Sequence, residues 1–562
     1  MIAPIVVVAF NRPDHLQRTL SALTVSDLAA KSDICIYCDG PRNDDDIEGV
    51  AATRRVAASV SGFKSVHVVE RPVNLGLSAN TTSAISDVIG KYGKAVILDD
   101  DIYTAPYFLQ FMNDALNLYQ DDERVAQISG FTPLETDEGI PATFFLRGGD
   151  CWGWATWKRA WDCFDANAGK HLIDIYRQGL EYEFDQHDSY AFTKTLHLHN
   201  IGAVSSWDTC WHASMFLRNM YTLYPGKSLV RNIGNDGTGA HCVASTLFDG
   251  VPFDRNPVAV TRQPVTECEA ARKQVEQFYR SLKKATRKMK ARQRGLLSRL
   301  SPSWWAKRKE RKQRRRARQG FFDPAIPSFP DWASACAAAE GYDAESITTK
   351  VVAAARMVRD GRALWERDSV LFYREEYTIP LVAALMTIAA RNRGRLSVLD
   401  FGGALGSTYM QHRSLFSGLE SIAWHVVEQP HFVAIGTQEF SSDVLRFWPT
   451  MDACAEQENI DVILFSGVLQ YMEDPYALVG EACALDPKAI LIDRTPFAQN
   501  GEKIIVQHVP EAIYKASYAC RLLDREKLKA AFPPAYHCLP EFPSQVDPQG
   551  FCGFMAVRKD RE

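Results

Sequence analysis

The chain has 562 residues, of which 46% are hydrophobic and 23% charged, and its formal net charge is −4. This length predicts two or three domains, and the ordinary composition excludes wholesale disorder. The charge is unevenly distributed, because residues 280–318 hold 18 Lys or Arg and only one acid, Glu310. The sequence therefore consists of two acidic bodies with a basic segment between them.

The cysteines and the apolar runs bear on the compartment. The 13 cysteines show no framework spacing, which indicates reducing conditions rather than a disulfide scaffold. Cys35 and Cys38 form a C-x-x-C, but residues three apart in a strand-like run face opposite sides, which disfavours metal or redox chemistry. No apolar stretch approaches the ~20 residues needed to cross a bilayer, and the apolar N-terminus lacks a basic leader. We therefore expect a cytoplasmic protein.

Two segments of the chain alternate short β-branched runs with helix-like stretches, a pattern typical of parallel sheets with crossover helices. The first occupies about the first 130 residues, and the second begins near residue 396. We predict an α/β protein with an N-terminal domain at 1–265, a basic helical connector at 266–320 and a C-terminal domain at 321–562. The predicted strands are Ile5–Phe10, Ile34–Cys38, Ser65–Val69, Ala95–Leu98, Trp424–Val427, Val462–Phe465 and Ala489–Asp493.

An acidic triplet, Asp99, Asp100 and Asp101, follows the predicted strand Ala95–Leu98. The triplet lies at the carboxyl edge of a parallel sheet, where ligands of such folds bind. Hard carboxylate oxygens there suit Mg²⁺ or Mn²⁺ bridging a diphosphate, and the metal would neutralise charge on the departing nucleotide. The alternative is a plain helix N-cap, because a helix-like segment begins just after Thr104.

Three further segments follow neighbouring strands and can converge with the triplet: Val6–His15, Cys38–Gly40 and Arg71–Asn80. Turns at Asn11 and Asp39 and a helix entry at Asn74 are the structural alternatives. As an ordered set, the motifs resemble the inverting GT-A glycosyltransferases, especially the family of N-acetylglucosaminyltransferase I and its bacterial relatives, over about residues 1–245. The resemblance implies a GT-A, Rossmann-like domain that binds a nucleotide-diphosphate sugar, with Mn²⁺ or Mg²⁺ held by Asp101. The implied donor contacts are Phe10, Asn11, Arg12, Asp39, Asn74, Gly76, Ser78, Asp99 and Asp100.

The same resemblance extends to the acceptor side of the first domain. Asp208, in Ser205–Trp211, matches the family's Trp-Asp segment, whose carboxylate takes a proton from the acceptor hydroxyl during inverting transfer. A structural aspartate beneath aromatic packing is the alternative. His241 ends a Gly-rich segment and is either a second metal ligand or phosphate donor, or a structural histidine. The tryptophans that stack on the sugar in this interpretation, and that form core in the alternative one, are Trp152, Trp154, Trp207 and Trp211.

A Gly-rich turn after a strand marks a second site, at Val398–Gly406. This layout lets the backbone approach a nucleotide-like ligand closely, and Glu428, at the end of the next predicted strand, is placed to accept both ribose hydroxyls. An NAD-binding enzyme shares this arrangement. The segment Asp461–Tyr471, followed by Glu473–Pro475, resembles the fourth-strand motif of class I methyltransferases and favours methyl transfer.

More closely, the region from about Phe321 to the end resembles a group of bacterial methyltransferase-like proteins whose chemistry is poorly defined. The resemblance implies a class I methyltransferase domain, a Rossmann-like fold with S-adenosylmethionine (SAM) as its cofactor. For transfer to oxygen, His508 or Asp493 is the candidate base, and both are equally able to be supporting residues. Arg494 and Tyr518 are further candidates near the transferred methyl group. The implied cofactor contacts are Asp400, Gly402, Gly403, Gly406, Glu428, Gln470 and Tyr471.

The basic connector at 280–318 allows three interpretations. It is a solvated charged helix, an anchor on an anionic membrane surface, or a nucleic-acid-binding segment. We favour the membrane, because Leu296, Leu297, Leu300, Trp304 and Trp305 sit among its cations. Nucleic acid is not expected as a partner, because neither flanking domain has a reading motif. The membrane interpretation places the cytoplasmic protein peripherally on the inner face of the cytoplasmic membrane.

These features together predict a bifunctional enzyme. Its first domain would transfer a sugar, with inversion and with a metal ion, from a nucleotide-diphosphate sugar to a bacterial surface-glycan precursor, a glycan or glycolipid. Its second domain would methylate that glycan with SAM. The alternative is a catalytically partial scaffold or assembly factor for membrane-associated polysaccharide synthesis.

Overall fold

The computed structural model describes residues 2–134, 136–236, 248, 250–299, 326–339, 344–499, 501–508, 516–544 and 551–559, with backbone alone at 287–299 and 344–346. The chain divides into two compact units, Met1–Arg299 and Leu300–Glu562. Both are mixed α/β with a large sheet in which parallel pairs predominate. Among the described helices, none is both long and apolar enough to cross a membrane.

The first unit is built on an eight-stranded sheet in the order β3-β2-β1-β4-β8-β6-β9-β7, and a second sheet pairs β10 with β5. Strands β1 to β4 are parallel, and the apolar runs of β1, β2 and β4 are almost wholly buried, as is typical of strands in the middle of a parallel sheet. The strands are β1 (Ile5–Ala9), β2 (Asp33–Cys38), β3 (Ser65–Glu70), β4 (Lys94–Asp99), β5 (Ile102–Thr104), β6 (Val125–Ser129), β7 (Thr143–Arg147), β8 (Trp154–Trp157), β9 (Tyr221–Pro225) and β10 (Val230–Asn232).

Helices cover this sheet and supply its crossovers. Pro13 at the first turn of the first helix has the backbone angle that a helix start requires, and it directly follows the turn after β1. Two 3-10 turns lie at Ala29–Lys31 and Asp44–Asp46. The helices are α1 (Pro13–Thr24), α2 (Ile47–Ser59), α3 (Leu77–Tyr92), α4 (Phe108–Leu118), α5 (Lys158–Trp161), α6 (Ala168–Gln178), α7 (Glu181–Phe184), α8 (Phe192–Asn200), α9 (Trp207–Phe216) and α10 (Glu269–Arg299).

The predicted connector begins inside the first unit rather than after it. Val265, Ala271, Val275 and Phe278 are all buried, so the first turns of α10 pack into the core of this unit. We therefore move the end of the first folded body from residue 265 to about Arg299. The membrane interpretation concerns side chains from 287 onward and residues 300–325, which lie outside the described part of the chain.

The second unit is built on an eight-stranded sheet in the order β15-β14-β13-β16-β17-β22-β20, with β21 paired to β22. Five parallel strands are followed by antiparallel β22, and hairpins pair β11 with β12 and β18 with β19. The strands are β11 (Trp365–Arg367), β12 (Val370–Phe372), β13 (Arg395–Phe401), β14 (Ser421–Val427), β15 (Leu445–Trp448), β16 (Val462–Ser466), β17 (Ala489–Pro496), β18 (Lys503–His508), β19 (Ser517–Leu522), β20 (Tyr536–Cys538), β21 (Phe542–Pro543) and β22 (Phe551–Arg558).

The order of β13, β14 and β16 decides where a ligand can bind in this unit. β14 and β16 lie on opposite sides of β13, so the strand order reverses there and opens a crevice at the carboxyl ends. Further 3-10 turns lie at Arg413–Phe416 and Leu469–Tyr471. The helices are α11 (Trp332–Ala338), α12 (Ala344–Arg359), α13 (Ile379–Arg391), α14 (Ser407–His412), α15 (Pro430–Glu439), α16 (Met451–Ala455), α17 (Pro475–Ala484) and α18 (Arg525–Ala530).

Candidate functional site

The first group of predicted residues meets at the carboxyl ends of β1 and β4, which are parallel neighbours. The backbone N–H of Phe10 donates to Asp100 Oδ2 at 3.4 Å. The Arg12 guanidinium contacts the carboxylates of both Asp100 and Asp101, with 2.9 Å to Asp101 Oδ2. The turn after β1 and the acidic triplet after β4 are thus held together by charge.

Asp39 organises a second part of this edge. Its buried carboxylate accepts hydrogen bonds from the backbone N–H groups of Gly40, Leu75 and Gly76 at 2.8 to 3.0 Å, and from Asn74 Nδ2 at 3.2 Å. Since most of its acceptor positions are taken, Asp39 shapes the loop that leads into α3 rather than offering a free carboxylate. A side chain at Gly40 would lie 2.4 Å from the Val73 carbonyl carbon, so only glycine fits.

Asn11 and Ser78 serve as ties at the same edge. Asn11 Nδ2 donates to Asp46 Oδ1 at 2.8 Å, which fixes the turn after β1 to the start of α2. The hydroxyls of Ser78 and Ser205 lie 2.5 Å apart and connect α3 to the segment that precedes Asp208. These residues of the predicted donor site thus hold loops together at this edge, and their contact with a donor stays a prediction.

Burial and mutual repulsion disfavour ionisation of the carboxyls of the acidic triplet. Burial raises the pKa of Asp99 well above its usual value, and the charges of Asp101, Asp100 and Asp208 raise it further. Burial raises the pKa of Asp100 to about 6 against the opposing charge of Arg12. Carboxylates that repel one another in a buried site favour a bound cation.

A divalent cation fits this site in chemistry. Its hard oxygen donors are those that Mg²⁺ and Mn²⁺ prefer. Within the described part of the chain, no three His, Cys, Asp or Glu side chains are grouped as a metal site. Asp101, the predicted ligand, shares its Oδ2 with Arg12.

The start of the Gly-rich segment, as far as its last described residues, lies beside the triplet. β10 pairs with β5, and the N–H of Ile233 donates to the carbonyl oxygen of Asp101 at 2.8 Å. A side chain at Gly234 would lie 2.1 Å from Asp101 Oδ2, so this glycine lets the backbone cover the carboxylate. His241 lies outside the described residues.

Asp208 lies in the first turn of α9, partly exposed, and Ser206 Oγ donates to its Oδ1 at 2.6 Å. Its charge raises the pKa of both Asp99 and Asp150, although burial is the larger cause for each carboxyl. The predicted base is therefore within electrostatic reach of the predicted donor site.

The tryptophans divide into two groups. Trp154 and Trp211 are 0% exposed and Trp207 is 6% exposed, and their rings pack 5.8 to 5.9 Å from one another around Trp154. Because they are buried, these three tryptophans have no ring face open to a sugar. They belong to the hydrophobic core of the first unit. Trp152 is only partly buried and packs against Phe131 and Phe248.

In the second unit, a glycine turn joins β13 to α14. Gly402 and Gly406 have φ angles of +72° and +88°, which favour glycine. A side chain at Gly402 would lie 2.6 Å from Val468 Cγ2, and one at Gly403 would lie 2.6 Å from Asp400 Oδ2. The absence of side chains at these positions opens the crevice between β13 and β16.

Two carboxylates flank this turn. Asp400 is 1% exposed and accepts a hydrogen bond from Trp424 Nε1 at 3.1 Å. Glu428 follows β14 and accepts from the N–H groups of Ala404 and Gln429, at 3.3 and 2.7 Å. Burial raises the pKa of both carboxyls, that of Asp400 to about 7. The predicted ribose acceptor is thus tied to the glycine turn.

Opposite the turn, β16 and β17 present a polar cluster. Ser466 Oγ donates to Asp493 Oδ2 at 3.1 Å, and Arg494 Nε donates to Ser466 Oγ at 3.1 Å. Gln470 Oε1 and Asp493 Oδ1 are buried and lack a hydrogen-bond partner among the described residues. Since such buried acceptors are costly, these two oxygens are suited to accept hydrogen bonds from a ligand.

The other predicted residues of this site differ in exposure. Tyr471 donates its hydroxyl to Gln507 Oε1 at 2.7 Å, and its ring packs edge-on against Tyr518 at 5.7 Å. His508 is exposed at the end of β18, whereas Asp493 is 1% exposed. Of the two candidate bases, Asp493 is the one within the cluster.

Sequence reasoning missed two residues of the β11–β12 hairpin. Glu366 is buried and accepts a hydrogen bond from the Ser407 hydroxyl at the start of α14, and burial raises its pKa to about 7. Arg367 donates to Gln411, and burial together with the charge of Arg494 lowers its pKa to about 10. The hairpin precedes β13, and no local motif indicates that it packs on α14.

The raised pKa of Asp400 gives a testable pH dependence. Its pKa is 3.8 in the unfolded chain and about 7 when folded, so ionisation favours unfolding. Its stabilising contribution is present below the unfolded pKa, falls as the pH rises between the two values, and is lost above about 7. We expect Asp400→Asn to raise the free energy of unfolding at pH 8 by roughly 1–4 kcal/mol, and to change it little near pH 4. Thermal unfolding of the full chain at both pH values checks this, and a less stable variant at pH 8 would contradict it.

No protein-family model matches this chain, and neither does any curated protein. Solved structures are similar to about a third of it, and these neighbours are class I SAM-dependent methyltransferases. The N-terminal domain of EvdMO1, solved in the presence of SAH (S-adenosylhomocysteine) and D-fucose, is 16% identical with a TM-score of 0.25, and the alignment covers 39% of this chain and 98% of that one. CalS10, an amino pentose methyltransferase from Micromonospora echinaspora solved with SAM, is 13% identical with a TM-score of 0.24, covering 33% and 92%.

The magnesium protoporphyrin IX methyltransferase of Synechocystis, solved with SAH, is 13% identical with a TM-score of 0.23, covering 32% and 81%. At such low TM-scores we rest no assignment of a reaction on these similarities.

Proposed function

We propose that the unit Leu300–Glu562 binds SAM and transfers its methyl group to a sugar hydroxyl. The observation that carries this proposal is the pair of unpartnered buried oxygens, Gln470 Oε1 and Asp493 Oδ1, opposite a glycine turn that is flanked by Glu428. A nucleoside cofactor needs the turn and the carboxylate, and an acceptor hydroxyl needs a nearby proton acceptor.

SAM fits these residues and supplies an electrophilic methyl group when it is bound. Glu428 would accept hydrogen bonds from the ribose hydroxyls, and the turn at Gly402 and Gly403 would permit close approach of the cofactor to the backbone. Asp493 takes up the proton of the acceptor hydroxyl through its free Oδ1, while Ser466 holds its Oδ2. An NAD-dependent oxidoreductase is the rival use of the same turn. Binding of SAH without binding of NAD separates the two.

We further propose that the unit Met1–Arg299 transfers a sugar from a nucleotide-diphosphate sugar with inversion. Asp99 and Asp101 follow β4 at the carboxyl edge of a parallel sheet, and Asp208 of α9 is close enough for its charge to raise the pKa of Asp99, which supports this function. Asp208 removes the proton from the acceptor hydroxyl as that oxygen attacks the anomeric carbon. Arg12 would contact the diphosphate, and Asp101 would hold a divalent cation, which would supply positive charge to the departing nucleotide.

The presence of both units on one chain motivates the coupling of their reactions. We propose that the glycan extended by the first unit, a bacterial surface-glycan precursor, is the methyl acceptor of the second. The test is incubation of the full chain with a panel of nucleotide sugars, Mn²⁺ and labelled SAM on a glycolipid extract, followed by mass spectrometry. Label on a newly elongated glycan supports coupling, and label on unextended glycans alone would remove it.

A scaffold role is the alternative from another functional class. A scaffold would bind neither nucleotide sugar nor SAM, and both predicted sites could then be altered without loss of polysaccharide assembly. Absence of binding by both units would favour this alternative.

Membrane association of the connector stays a separate proposal. Its cations predict docking on anionic vesicles and not on neutral ones. Flotation of the full chain with both vesicle types tests this, and equal failure to bind them would remove the idea.

A further inference from the structure

A strained loop between α7 and α8 stands out in the first unit. Three consecutive residues that are not glycine, Gln186, His187 and Asp188, have positive φ angles of 48°, 52° and 60°. Such left-handed conformations are costly for side-chain-bearing residues, and they persist only where surrounding contacts hold them. Strain of this kind is common at ligand-binding sites. The contacts that hold this loop, and the side chain that it exposes, therefore bear on ligand binding.

Helix α10 supplies the contacts that hold the loop. Glu276 is 6% exposed, and its carboxylate lies 2.7 Å from His187 Nδ1 and pairs with Arg272. Arg280 donates to the carbonyl oxygen of His187 at 3.1 Å, and Lys283 donates to that of Asp188 at 3.3 Å. The start of the basic helix thus clamps the loop in its strained conformation.

The clamped loop presents Tyr190. Its side chain is 42% exposed, although its ring packs 4.4 Å from Phe192 and 4.9 Å, edge-on, from Tyr279 of α10. Two aromatic neighbours fix the ring and leave part of its surface open to solvent. Phe192 in turn stacks 4.2 Å from His212 of α9, the helix whose first turn carries Asp208. The partly exposed ring therefore lies beside the helix that carries the proposed base.

We propose that Tyr190 is the platform on which a neutral sugar ring of the acceptor stacks, next to Asp208. A rigid, partly exposed aromatic ring complements the apolar face of a pyranose. The nearby carboxylates disfavour an acidic sugar at this position, because like charges repel. This inference rests on the proposed glycosyl transfer and adds the acceptor class, a positioning residue and a role for α10 in glycan binding.

The test uses saturation-transfer NMR with the full chain and methyl glycosides of glucose, galactose, mannose, N-acetylglucosamine and glucuronic acid. We expect at least one neutral glycoside to bind, and Tyr190→Ala and Tyr190→Leu to weaken binding about 3- to 10-fold, the weight of one aromatic contact. Tyr190→Phe keeps the ring and should bind like the wild type. Val25→Ala is a control for the loss of an exposed apolar side chain, since Val25 is 70% exposed and lies at the end of α1, outside the strained loop.

Three results would overturn the proposal. They are unchanged binding by Tyr190→Ala, no binding of any neutral glycoside by the wild type, and preference of the wild type for the glucuronide. The unfolding temperature of Tyr190→Leu shows whether weaker binding comes from the loss of the aromatic ring or from unfolding of the protein. Nucleotide-sugar hydrolysis is measured in parallel. Tyr190-dependent binding without hydrolysis supports the platform and removes the glycosyltransferase assignment, whereas hydrolysis without Tyr190-dependent binding does the reverse.

Discussion

Replacement of Asp208 by asparagine lowers sugar transfer by about 10²–10⁴-fold, the usual contribution of a positioned general base. The amide cannot take the proton of the acceptor hydroxyl, whereas it still accepts the hydrogen bond from Ser206. The partly exposed side chain makes no other described contact that the variant would lose, so donor binding is kept. Initial rates of transfer, with calorimetric titration of the nucleotide diphosphate in parallel, measure the two effects separately.

Asp162→Asn is a matched control for this variant. Asp162 is an exposed aspartate of the same unit whose partner is Lys158, one helical turn away. It should transfer sugar like the wild type. Equal rates for wild type and Asp208→Asn would show that the base has been misassigned, and loss of donor binding would indicate a structural aspartate instead.

Replacement of Glu428 by alanine weakens SAM binding about 10- to 100-fold, because hydrogen bonds to a charged group contribute roughly 1.5–3 kcal/mol each. The carboxylate follows β14, and its ties to the N–H groups of Ala404 and Gln429 fix its orientation at the glycine turn. Glu428→Gln keeps one acceptor oxygen, so its affinity for the cofactor should lie between those of the wild type and Glu428→Ala. Calorimetric titration with SAH measures all three proteins.

Glu481→Ala on α17 is the corresponding control, since this glutamate is exposed. It should bind SAH with wild-type affinity. If Glu428→Ala binds SAH as tightly as the wild type, the carboxylate holds the glycine turn and does not contact the cofactor, and the ribose assignment would have to be abandoned.

The strand ends were predictable from sequence, because unbroken β-branched runs and the polar residues that follow them are local signals. The runs at Ile5–Phe10 and Ala95–Leu98 match β1 and β4 to within one residue at each end. The glycine turn after β13 was equally visible, since its positive φ angles select glycine. Parallel pairing then brings these ends to one edge without further information.

What the sequence could not supply depends on contacts between distant residues. Trp154 and Trp211 match a sugar-stacking motif and a core motif equally well, and only their 0% exposure separates the two. Glu366 reaches Ser407, 41 residues away, through a hairpin that has no motif of its own. The charged residues in the early part of α10 are typical of a connector. Val275 and Phe278 of the same helix nevertheless pack into the core of the first unit.

The strained loop was also invisible in the sequence. Gln186, His187 and Asp188 contain no glycine to mark left-handed backbone, and the loop owes its conformation to α10. Tyr190 therefore gains its significance only when its neighbours in space are known.

Calorimetric titration of the full chain with SAH is the most direct test of the central claim, that the second unit is a SAM-dependent methyltransferase. We predict saturable binding that is weakened by Glu428→Ala and unchanged by Glu481→Ala, with no comparable binding of NAD. Absence of SAH binding, or tighter binding of NAD, would contradict the claim.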